Sequence, residues 1–104
     1  MTEPMHGMNE EQRALVRHIL GTWVPGHEVR VFGSRAHGHP KAYSDLDLVI
    51  MGEAPIPLAT MGQLQDAFAN SELPWRVDVI EWASTSPEFQ RHIQASSVSL
   101  SALN

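Results

Sequence analysis

Asp45 and Asp47 stand one residue apart in Ser44-Asp45-Leu46-Asp47-Leu48-Val49-Ile50, an apolar run with the alternation of a β-strand. Strand side chains point to opposite faces in turn, so residues i and i+2 share a face with Cα atoms about 6.6–6.8 Å apart. Two carboxylates so placed can converge on one or two divalent ions, and their oxygens suit Mg²⁺, which commonly takes one or two carboxylates plus substrate phosphates. Upstream lies Val31-Phe32-Gly33-Ser34-Arg35-Ala36-His37-Gly38, an apolar strand that ends on a Gly-Ser turn. Such a turn frees backbone N–H groups at the start of a helix, where an anionic group is welcome. A third acid, Asp78, sits among Val77, Val79 and Ile80, in a strand-like setting that disfavours Asp unless something local compensates. An isolated Asp-x-Asp is most often a solvated strand edge. The combination, with ten residues between Ser34 and Asp45, points to metal-assisted in-line displacement at a nucleotide phosphate.

These residues need elements to hold them. Leu15, Val16, Ile19, Leu20 and Trp23 recur at helical spacing after Asn9, an N-cap residue followed by Glu10 and Glu11, so a first helix is expected from Asn9 to near Gly21. Pro25-Gly26 marks a turn before a strand over 28–32, and a second strand is expected over 45–51 with Leu46, Leu48 and Ile50 facing the core. Leu58, Met61, Leu64, Ala67 and Phe68 predict a helix over 58–71, and a third strand follows over 75–82. Ser86-Pro87-Glu88 reads as a helix start with Ser as cap and Pro at the first position. The tail from Ser96 is weakly patterned, either short strand or disorder. The order α-β-β-α-β-α predicts an α+β fold, a small mixed sheet with helices packed on it.

Composition narrows the function classes. A chain of 104 residues supports one domain over 1–104, with 1–8 expected to fray, and leaves no room for a second, substrate-binding domain. No apolar run approaches the ~18 residues of a membrane span, and the N-terminus lacks the basic start and apolar core of a secretory signal, so a cytoplasmic protein without membrane contact is expected. The absence of cysteine excludes disulfides, thiolate zinc sites and a cysteine nucleophile. The formal charge of −5 argues against direct nucleic-acid binding and fits a site that collects divalent cations.

Gly33-Ser34-Arg35-Ala36-His37-Gly38 followed by Ser44-Asp45-Leu46-Asp47-Leu48 resembles the signature of the DNA polymerase β-like nucleotidyltransferases, and the minimal nucleotidyltransferases most of all. The resemblance runs from the first helix through Asp78 to Phe89-Gln90-Arg91-His92-Ile93. It implies a nucleoside triphosphate, ATP, with Mg²⁺ in a two-ion site. It assigns phosphate contact to Gly33 and Ser34 and metal binding and catalysis to Asp45 and Asp47, with Asp78 joining them, by position, as the third metal-binding and catalytic carboxylate. Arg35 is a secondary phosphate candidate, the other reading being an arginine that faces solvent. Many such proteins accompany a HEPN-domain toxin as its antitoxin, and such a member can transfer AMP to a tyrosine of that toxin. Where many relatives carry a second arginine, this chain has His37, a pH-dependent donor in place of a permanent charge.

Other residues have blander readings. His37 and His39 with Asp45 are a conceivable transition-metal set, but a loop between Gly38 and Pro40 does not fix ligand geometry. Trp75 and Trp82 flank the third strand and are expected as core or interface anchors in preference to base-stacking platforms. Arg76 shares the Asp78 face, where it either neutralises that carboxylate, meets a phosphate or makes a surface ion pair. Two functional alternatives stand beside nucleotidyl transfer to a protein: a binding module that neutralises its partner by occlusion, and transfer to a small molecule such as an antibiotic.

Overall fold

The computed structural model describes residues 7–37 and 44–100. Helix α1, Glu10–Trp23, begins at a capping box in which Asn9 Oδ1 accepts from the Gln12 amide at 2.8 Å and Gln12 Oε1 accepts from the Asn9 amide at 3.0 Å. It runs through Gly21, two residues beyond the expected end, and closes where the Val24 amide donates to the Leu20 carbonyl at 2.8 Å. The strands are β1, Val29–Phe32, and β2, Leu46–Ile50; helix α2, Leu58–Ala69, then leads to β3, Val77–Glu81. Helix α3, Pro87–Ser96, starts as expected, with the Ser86 hydroxyl accepting from the Phe89 amide at 3.2 Å and Pro87 in the first turn. A two-residue strand, β4, Val98–Ser99, follows.

The sheet is mixed, in the order β3-β2-β1-β4. β1 pairs antiparallel with β2 and β4, while β2 and β3 run parallel, a pairing that needs a crossover and receives it in α2. The tail of uncertain pattern is thus partly strand, because Val98 and Ser99 satisfy the otherwise open edge of β1 opposite Val31 and Arg30. Arg30 reinforces this closure, donating from Nε to the Ser97 hydroxyl at 2.7 Å and from Nη2 to the Ser97 carbonyl at 3.1 Å.

One face of the sheet carries Val29, Val31, Leu46, Leu48, Ile50 and Val77 into the main core, where Val16, Ile19 and Leu20 of α1 and Leu64 and Phe68 of α2 meet them. The expected alternation of β2 is therefore present. Met8, assigned from sequence to a frayed terminus, instead lies wholly buried in this core, because a long apolar side chain just ahead of the α1 cap fills space beneath the helix. The opposite face is only partly covered. Phe32 meets Phe89 of α3 edge to face at 5.6 Å, and Val49 and Ile93 are buried apart from the main core.

Leu48→Ala should lower unfolding free energy by about 2–5 kcal/mol, since Leu48 has no exposed surface. Leu58→Ala, at a side chain that is 89% exposed, should stay within about 0.5 kcal/mol of wild type. Urea denaturation of the two variants checks both values.

Candidate active site

The three acids are gathered by strand register. Asp47 pairs across the sheet with Phe32 of β1 on one side and with Asp78 of β3 on the other. Parallel neighbours lie about 4.8 Å apart, so Asp47 and Asp78 stand side by side on the face away from the main core. Asp45 shares that face two residues earlier, exposed just ahead of β2. The pairing of β2 and β3 is extended there by the Leu46 amide, which donates to the Arg76 carbonyl at 2.8 Å.

The carboxylates feel one another. Partial burial pushes the Asp47 carboxyl above its ordinary pKa, repulsion from Asp78 and then Asp45 adds to the rise, and Arg76 opposes it. Arg76 Nε donates to Asp78 Oδ1 at 3.1 Å in a pair open to solvent, so the third acid is turned toward a cation just ahead of its own strand. Among the described residues no three His, Cys, Asp or Glu side chains close around a common point as a ready metal cage.

Gly33 opens the five-residue 3₁₀ turn Gly33–His37 that follows β1, at a φ of +74° that side-chain-bearing residues rarely adopt. A Cβ there would strike Asp47 Oδ2 and come within 3.3 Å of Asp47 Cγ. The glycine is therefore demanded twice, by backbone conformation and by the carboxylate resting against it. Ser34 next to it is exposed. The phosphate turn and the acid strand expected from sequence are thus in direct contact.

Arg35 does not face solvent, one of the two readings open from the sequence. It has no exposed surface and points inward, donating from Nε and Nη2 to the Ser44 carbonyl at 3.0 and 2.7 Å. Its Cζ lies 4.4 Å from the ring centroid of Trp75, which is itself buried in the core. Burial pulls the guanidinium pKa down and the Asp45 charge partly restores it. Sequence reasoning singled out Trp75 but not its partnership with Arg35; an aromatic placed just before an acid-bearing strand is a signal only once that strand is known to adjoin the turn. The conceivable His37 and His39 metal set lies outside the described residues, apart from the backbone of His37.

Beyond Asp78 on the same face, Ile80 and Phe89 floor an open depression of about 390 Å³ rimmed by Ser84, Thr85 and Ser86. A larger groove of about 510 Å³, lined by Leu20, Val24, His27, Val29 and Leu100, opens at the opposite end of β1 and includes none of the three acids.

Residues 27–103 match the family described as polymerase beta, nucleotidyltransferase, which spans the Gly-Ser turn and all three acids. The chain belongs to the polymerase β nucleotidyltransferase family. It is 45% identical over 87 residues, 84% of its length and 76% of the relative's, to the Probable protein adenylyltransferase MntA of Haemophilus influenzae. Solved structures agree in fold. A toxin–antitoxin crystal structure with AMP-PNP aligns with a TM-score of 0.71 at 19% identity, over 85% of this chain and 71% of that one. A tri-AMPylated Shewanella oneidensis HEPN toxin in complex with MNT antitoxin aligns at 0.67 and 17%, over 89% and 71%. A minimal nucleotidyltransferase aligns at 0.66 and 28%, over 86% and 92%. The family resemblance read from the sequence is therefore correct, and the chain is a nucleotidyltransferase by family and by fold.

Two outcomes are expected at the site. Gly33→Ala should destabilise the fold by about 1–3 kcal/mol and displace Asp47, as read by urea denaturation and by a shift of the Asp47 carboxyl signal in NMR. Asp47→Asn should instead stabilise the fold in metal-free buffer. Because the folded chain holds the Asp47 proton more tightly than the unfolded chain, ionisation removes stability as pH rises from the ordinary carboxylate range through the raised folded pKa. Asp47→Asn should accordingly be more stable than wild type at about pH 7, the advantage shrinking as pH falls toward about 4. Parallel thermal melts across that range measure it.

Proposed function

We propose that this chain transfers AMP from ATP to a hydroxyl of a protein partner, a tyrosine of a HEPN-domain toxin, and thereby serves as the antitoxin in the cytoplasm. The observation that carries this reading is the contact of Gly33, at the head of the Gly-Ser turn, with Asp47 of an acid pair two residues apart, in a chain 45% identical to a relative named a protein adenylyltransferase. Three carboxylates crowd one sheet face, and the partial burial and repulsion that together raise the Asp47 pKa are both offset by a counter-charge there. That donor set fits Mg²⁺.

Asp45 and Asp47 would hold the ion, the number of protein carboxylates that Mg²⁺ usually takes when substrate phosphates supply other ligands. When bound, Mg²⁺ neutralises charge on the phosphates and favours departure of pyrophosphate. The chain supplies the rest. Backbone N–H groups of the Gly33-Ser34 turn face the phosphate chain, and Gly33 leaves room for close approach of a ligand to the acid strand. Asp78, released from Arg76, accepts the proton of the attacking hydroxyl, while Arg76 is freed to face the triphosphate. In balance, the acceptor oxygen bonds to the α-phosphorus, the bond from that phosphorus to the bridging oxygen breaks, and pyrophosphate leaves. The depression floored by Ile80 and Phe89 and rimmed by hydroxyls suits an aromatic side chain that carries a hydroxyl. Most of the acceleration comes from positioning and fixed charges.

Co-expression with the protein encoded beside this one, followed by intact mass of that partner, tests the reading. Wild type should add one or more AMP units to it. Asp47→Asn should reduce transfer by several kcal/mol in barrier, more than about 1,000-fold. A partner that stays unmodified yet is neutralised equally by both would establish occlusion instead.

A further inference from the structure

Arg35 is the sole polar or charged residue in the buried set among the described residues. Removing a guanidinium from water is expensive unless its donors are satisfied and its charge is met. Both needs are served here by backbone and ring, since Ser44 offers its carbonyl to two donors and Trp75 its face.

The placement of these partners is informative. Ser44 immediately precedes Asp45 at the entry to β2, and Trp75 immediately precedes Arg76 at the entry to the parallel strand β3. Arg35 itself belongs to the 3₁₀ turn that starts at Gly33. One cation therefore ties together the phosphate turn and the leading ends of both acid-bearing strands. Its charge also lies near enough to Asp45 for that carboxylate to favour it.

We propose that Arg35 is a positioning residue that clamps the Gly33-Ser34 turn to the entries of β2 and β3. It acts through Ser44 and Trp75 and never touches the nucleotide. The clamp fixes Asp45 and Asp47 against the turn, and in that respect it rests on the reading of this pair as the metal-holding acids. A lysine cannot replace it, because an ammonium has neither the paired donors nor the flat face that the two partners use.

Four proteins decide the matter: wild type, Arg35→Met, Arg35→Lys and Trp75→Phe, the last keeping a ring beneath the guanidinium. Hydrogen exchange across Ser44–Leu46, measured without metal or nucleotide, should quicken in both Arg35 variants and stay near wild type in Trp75→Phe. Mn²⁺ affinity in the presence of ATP, read by electron paramagnetic resonance, should fall about 10- to 100-fold in Arg35→Met. In AMP transfer kcat should fall while KM for the partner protein holds. Wild-type exchange at Ser44–Leu46 in a folded Arg35→Met or Arg35→Lys protein overturns the clamp, the lysine variant serving if the methionine variant does not fold. So does a variant whose only change is a higher KM for ATP, which would mark direct phosphate contact. Wild type that binds no Mn²⁺ through Asp45 and Asp47 overturns the functional reading alone, and the exchange comparison still decides the clamp.

Discussion

In-register parallel pairing of β2 with β3 sets Asp47 beside Asp78, so that an acid already half-buried also meets a like charge. Like charges directly opposite on adjacent strands destabilise a sheet. The offset comes from the other face of the same strands, where Leu46, Leu48 and Val77 are buried against α1 and α2. Parallel pairing also obliges the chain to cross over, and α2 is both that crossover and half of the helical layer above the core. On the other side of β2, antiparallel β1 ends opposite Asp47, so the turn that follows it arrives at the acids by geometry rather than by chance.

The conflict between stability and chemistry is local. A neutral asparagine at position 47 would satisfy the sheet better than the native acid does. On the proposed reading, the acid is kept because the site it belongs to attracts positive charge. Arg76 pairs with Asp78 at the surface, where ion pairs are weak and readily exchanged.

Much of this was legible in the chain itself. The helices of Asn9 and Ser86 announced themselves by caps whose hydrogen bonds are present, and the alternation around Asp45 and Asp47 placed Leu46, Leu48 and Ile50 in the core. The Gly-Ser turn with its acid pair was specific enough to identify the family. Long-range packing was less visible. Nothing local distinguishes Met8 from a loose terminus, and β4 exists because β1 has an edge to satisfy, a fact held 67 residues away at Arg30 and Ser97. Arg35 was the hardest residue to place, since an arginine beside an exposed serine gives no sign of burial until Ser44 and Trp75 are known to converge on it.

The sheet order β3-β2-β1-β4 also governs the timing of assembly. All three acids and the glycine that cradles one of them leave the ribosome before Ser97 and β4 do. Until those residues arrive, β1 presents a bare row of backbone donors and acceptors that any other strand could capture. Closing that edge joins segments far apart in sequence, the slowest kind of contact to make. A two-residue strand and one forked arginine thus act as a late seal on the nascent chain, and its kinetic vulnerability lies on the side of the sheet farthest from its chemistry.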